Sequence, residues 1–76
     1  MNYVNLYGDT LINEYELQSV RALIMWAAEE NKISEDTVRE IIKTKFDADE
    51  ITKLRRRDYD DAIRFLVDLQ LEMVLN

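Results

Sequence analysis

Asn13–Asn31, NEYELQSVRALIMWAAEEN, is the stretch whose reading decides the fold. Asn13 followed three residues later by Glu16 is a capping-box pattern, in which each side chain takes the backbone N–H of the other. Tyr15, Leu17, Val20, Leu23, Ile24 and Ala27 then recur at helical spacing, so a helix is predicted to start at the cap and run to about Asn31. Met25, Trp26 and Ala28 widen the apolar stripe beyond one face, which makes this helix the central element or gives it a second covered surface. Trp26 reads first as a large core or boundary side chain and second as an interface anchor, a role in which tryptophan is enriched.

On the carboxyl side, Asn31 to Ser34 breaks the pattern. Ser34 can cap a second helix whose first turn holds Glu35 and Asp36, where carboxylates complement the helix dipole. Val38, Ile41, Ile42 and Phe46 form its apolar line, and Asp47-Ala48-Asp49 ends it. Ile51 and Leu54 suit one short helical turn. A last helix is expected from near Asp58, with Asp58, Asp60 and Asp61 as capping and dipole-complementing residues. The series Tyr59, Ala62, Ile63, Leu66, Val67, Gln70, Met73 and Val74 lies behind them. Leu69, Leu71 and Leu75 fall off that stripe and would need a cover.

On the amino side, residues 1–12 differ from the rest. Tyr3, Val4, Leu6, Tyr7, Leu11 and Ile12 favour extended chain, and Gly8-Asp9 suits a tight turn. A two-stranded hairpin is marginal alone in water, so this segment reads either as a hairpin leaning on the helices or as an extended arm across them.

The whole chain has 76 residues, room for one small core, and no Pro, repeat or Ser/Gly-rich linker divides it. It is therefore expected to be a single domain over 1–76: a mainly α, three-helix unit over 13–76 with the arm or hairpin over 1–12. With 47% hydrophobic residues it should fold, and a core of this size gains from helix packing or self-association. The longest apolar run, Leu23–Ala28, is far below a membrane span. No basic n-region with an apolar run opens the sequence, so a cytoplasmic protein without membrane contact is expected.

Chemistry is narrowed as sharply. The chain has no Cys and no His, which removes thiol nucleophiles, disulfides, zinc fingers and imidazole acid–base catalysis. Its single glycine leaves no Gly-rich phosphate loop. Asp47 to Asp58 has the length of a calcium loop, but Thr52 stands where a glycine permits the turn, Asp58 stands where a bidentate Glu closes the site, and Lys53, Arg55, Arg56 and Arg57 crowd it with positive charge. No catalytic residue, cofactor or metal site is therefore expected, and the reading is a non-enzymatic one.

Charge is more informative. The net charge is −6, yet Arg39, Lys43, Lys45, Lys53, Arg55, Arg56, Arg57 and Arg64 put eight of the ten basic residues between positions 39 and 64. Lys53, Arg55, Arg56 and Arg57 are the densest point. They suit an acidic protein surface or phosphates, against the plainer reading of a solvated loop balanced by Asp49, Glu50, Asp58 and Asp60. A nucleic-acid module usually carries a basic overall charge, so unaided duplex binding is disfavoured.

Residues 38–69, VREIIKTKFDADEITKLRRRDYDDAIRFLVDL, resemble the small helical module near the carboxyl end of some phage antirepressor and phage DNA-metabolism proteins. The resemblance places Phe46 at the end of a helix, Leu54 in a short loop, and Tyr59, Ala62, Ile63, Phe65 and Leu66 in a final helix. All are packing positions. The chain departs from the family's pattern at Asp47, where a Gly usually follows the aromatic residue, and residues 1–37 are not expected to hold the larger DNA-binding domain found there in the family. What the resemblance implies is a phage-like or mobile-element origin and an accessory or regulatory role near DNA transactions.

The expected function is thus docking on a protein partner in a DNA-related pathway, with Lys53, Arg55, Arg56 and Arg57 as contact residues and Trp26 as an anchor. Direct nucleic-acid binding through the 53–57 cluster is the second reading, and a homodimerisation element built on Leu69, Leu71 and Leu75 is the third.

Overall fold

The computed structural model describes residues 10–70. Three helices carry the fold: α1 (Glu14–Asn31), α2 (Glu35–Lys45) and α3 (Tyr59–Asp68). Single 3-10 turns at Ile51–Lys53 and Arg56–Asp58 join α2 to α3, the second running directly into the helix.

Both expected caps form. Asn13 accepts from the Glu16 N–H at 2.8 Å while Glu16 Oε1 accepts from the Asn13 N–H at 2.8 Å, and Ser34 Oγ accepts from the Thr37 N–H at 3.1 Å. The first two helices end alike. Lys32 and Asp47 take positive φ of 57° and 53°. At the end of α1 the N–H groups of Lys32 and Ile33 donate back to Glu29 and Ala28, and at the end of α2 those of Asp47 and Ala48 donate to Thr44 and Lys43. Each is a Schellman ending, which closes a helix by satisfying its last carbonyls and ordinarily uses glycine at the left-handed residue.

α2 packs on α1 after a short connection, and α3 runs in the same direction as α1. Arg56 meets Glu16 at their amino ends, and Asn31 Nδ2 donates to the Leu69 carbonyl at 3.1 Å at their carboxyl ends. Val20, Ile24 and Ala27 of α1, Val38 and Ile42 of α2, Leu54 of the connection, and Ala62 and Leu66 of α3 are buried. No polar or charged described residue is buried, so this core is purely apolar.

Thr10–Ile12 runs antiparallel to Leu54–Arg56. The Ile12 N–H donates to the Leu54 carbonyl at 2.9 Å and the Arg56 N–H to the Thr10 carbonyl at 2.8 Å, flanking the Leu11–Arg55 pair. This bridge buries Ile12 and fixes the connection between α2 and α3. The hairpin around Gly8-Asp9, and the roles expected for Leu71, Met73, Val74 and Leu75, lie outside the described residues.

Four expectations are corrected. Tyr15 is 86% exposed, because it lies on the row of Ala22 and Trp26, opposite the line of Val20, Ile24 and Ala27. Val67 is 47% exposed, one helical step round from Leu66. Asp58 makes no capping bond, since the 3-10 turn holds it at φ −95°, ψ −2° rather than in the extended geometry a cap needs. α3 ends at Asp68, with Leu69 extended, so Gln70 does not continue its apolar series.

Candidate interaction surface

The eight basic residues between 39 and 64 divide into engaged and available groups. Arg39 pairs with Asp36 at 2.8 Å and Glu35 at 3.7 Å, and Lys43 pairs with Glu40 at 2.9 Å, all along α2. Lys45 Nζ sits 5.3 Å from the centre of the Phe65 ring, which also packs perpendicular to the Phe46 ring with the centroids 6.4 Å apart. Arg56 Nε lies 3.3 Å from Glu16. Lys53, Arg55, Arg57 and Arg64 form no ion pair with a described residue.

The expected contact residues therefore separate. Lys53 and Arg57 are exposed, Arg55 is half-buried with its backbone in the bridge to Leu11, and Arg56 turns to α1. The segment is held more firmly than a solvated loop. It carries two 3-10 turns, the Leu54 side chain is buried, and two backbone hydrogen bonds tie it to Thr10–Ile12. A charge presented on fixed backbone loses less freedom when it meets a partner.

Trp26 is not part of that cluster. It is 41% exposed near the carboxyl end of α1, where it borders a notch with Val67 and Leu69, while Arg56 meets Glu16 ten residues earlier. At 1.5 Å per residue the two lie roughly 15 Å apart along the helix. They are separate features.

A cleft of 370 Å³ between α1, α2 and the Ile51–Lys53 turn is lined by Arg21, Asp36, Arg39, Glu40, Lys43 and Glu50. Its charges alternate and two of its cations are already paired, so it offers no single sign of charge to a ligand. Among the described residues no cluster of acidic side chains could hold a metal ion, and no helix is long and apolar enough to cross a membrane.

Two features escaped sequence reasoning. The Glu16–Arg56 contact spans 40 positions and the Asn31–Leu69 bond spans 38. A carboxylate at the third helical position and an Asn at a helix end are the only local signals, and neither names its distant partner. No protein-family model matches the chain, and comparison with the curated proteins and with the solved structures found no match.

Proposed function

We propose that the chain is a non-enzymatic interaction module that docks an acidic surface of a protein partner on the Lys53–Arg57 segment. The observation that supports it is the exposure of Lys53 and Arg57, unpaired with any described residue, on a connection held by the bridge to Leu11. A fixed positive edge on a molecule of net charge −6 favours a local acidic patch over a long polyanion, which the rest of the surface repels. Arg55 supports the contact from its half-buried position. The resemblance of residues 38–69 to a phage module suggests that the partner works in a DNA-related pathway.

The test is affinity capture from nuclease-treated extract, with wild type beside Lys53→Glu/Arg57→Glu. The proposal expects one partner retained by wild type and lost from the double variant while circular dichroism is unchanged. Identical capture by both proteins contradicts it, and capture seen from a parallel untreated extract but not from the nuclease-treated one favours direct nucleic-acid binding.

A further inference from the structure

Leu11 and Arg55 stand directly opposite one another in the antiparallel bridge. The two hydrogen bonds there belong to their neighbours, from the Ile12 N–H to the Leu54 carbonyl and from the Arg56 N–H to the Thr10 carbonyl. Leu11 and Arg55 are therefore a non-hydrogen-bonded pair, the kind in which facing side chains come closest. Side chains alternate along extended chain, so one face of the bridge carries Ile12 and Leu54 and the other carries Leu11 and Arg55. Burial follows that alternation. Ile12 and Leu54 close the core, whereas Leu11 is 43% exposed with the half-buried Arg55 opposite it.

Leu11 is thus an apolar side chain held at the middle of a cationic edge. Lys53 and Arg57 are the second residues on either side of Arg55, so each Cα lies within ~7 Å of the Arg55 Cα. From Lys53 to Arg57 four of five residues are cationic and none is acidic, and of these only Arg56 is paired with a described carboxylate. An exposed leucine by itself is ordinary surface. This one differs in its place. Its backbone is fixed by the bridge, and the charges around it draw a partner's carboxylates to the same spot.

We infer that Leu11 is a specificity-determining contact of this edge, and that the acidic partner presents an apolar side chain flanked by carboxylates. The apolar group seats on Leu11, and the carboxylates meet Lys53, Arg55 and Arg57. The inference rests on the reading of the Lys53–Arg57 segment as a site for an acidic protein surface, and it adds what charge alone lacks. Charge draws in any acidic segment and is weakened by salt, whereas an apolar contact at a fixed position discriminates among acidic segments and is not screened.

Two labelled peptides of equal length and charge test it by fluorescence anisotropy, one with a leucine between glutamates and one with serine in its place. Wild type should bind the leucine peptide about three- to tenfold more tightly, the gain from covering the open part of one leucine. That ratio should persist as added salt weakens both complexes. Leu11→Thr keeps a residue suited to extended chain. It should bring the leucine peptide down to the affinity of the serine peptide and leave the latter unchanged, with circular dichroism intact. Leu11→Met should retain the preference, and Lys53→Glu/Arg57→Glu should abolish binding of both peptides. Equal binding of the two peptides by wild type, lost in Lys53→Glu/Arg57→Glu, overturns this inference and leaves the acidic-surface reading standing. So does a preference for leucine that Leu11→Thr does not reduce, which assigns the apolar contact to another residue. Failure of wild type to bind either peptide overturns both.

Discussion

Arg56 Nε lies 3.3 Å from both carboxylate oxygens of Glu16, and one of those oxygens also accepts the Asn13 N–H at 2.8 Å. One carboxylate thus closes the start of α1 and holds the 3-10 turn that leads into α3. The pair is open to water, with Arg56 44% and Glu16 18% exposed in their side chains, so its electrostatic part is worth at most ~1 kcal/mol. Glu16→Ala removes both contacts and should cost about 1–2 kcal/mol. Arg56→Ala should cost less than ~1 kcal/mol. Urea unfolding of the two single variants and the double variant separates the contributions, and a double variant that equals the sum of the singles would show that the two groups do not interact.

Lys32 and Asp47 both occupy left-handed backbone that glycine adopts freely. Lys32→Gly should raise stability by about 0.5–1 kcal/mol, since it removes the Cβ clash at the end of α1 and keeps both N–H bonds. Asp47→Gly should gain less, because aspartate tolerates this conformation better than lysine. The midpoint of urea unfolding reads both. A loss of stability in Lys32→Gly would mean that the lysine side chain contributes more than its backbone strain costs.

Leu66 and Val67 are neighbours with opposite surroundings, the first fully buried and the second half open. Leu66→Ala should cost about 2–5 kcal/mol, enough to unfold much of so small a domain. Val67→Ala should lie within ~0.5 kcal/mol of wild type. Thermal unfolding followed by circular dichroism distinguishes them, and similar losses in the two variants would place Val67 in a covered interface.

Asn31 ties the last turn of α1 to the residue after α3, donating to Ala27 at 2.9 Å and to Leu69 at 3.1 Å. Asn31→Ala leaves those carbonyls without its amide and should cost about 1–2 kcal/mol. Hydrogen exchange should show the loss concentrated at the carboxyl ends of α1 and α3, with the Ser34 cap of α2 unaffected.

The parts of this fold that sequence makes legible are those whose physics is local. The capping box at Asn13 and Glu16, the Ser34 cap and the apolar lines of α1 and α2 depend on residues three or four positions apart, and those helices run as their patterns predict. Tyr15 stands five, nine and twelve residues before Val20, Ile24 and Ala27, so helical spacing puts it on the opposite row, and its hydrophobic character beside the cap is what groups it with the core line. The apolar series of α3 outruns the helix for another reason. Its apolar pattern continues past Asp68, but the chain is extended at Leu69, whose carbonyl takes the Asn31 amide, a contact no window of neighbouring residues contains. The basic cluster was visible as composition. That Arg56 is engaged while Lys53 and Arg57 stand open depends on where Glu16 comes to lie, which only the parallel packing of α1 and α3 determines.

The claim on which the account rests is that the Lys53–Arg57 edge recognises an acidic protein surface rather than a nucleic-acid backbone. Fluorescence anisotropy with a labelled glutamate-rich peptide and, separately, a labelled DNA duplex at the same moderate salt tests it most directly. The account predicts binding of the peptide that Lys53→Glu/Arg57→Glu abolishes, and no comparable binding of the duplex. Tighter binding of the duplex, or peptide binding that the double variant leaves intact, would contradict it.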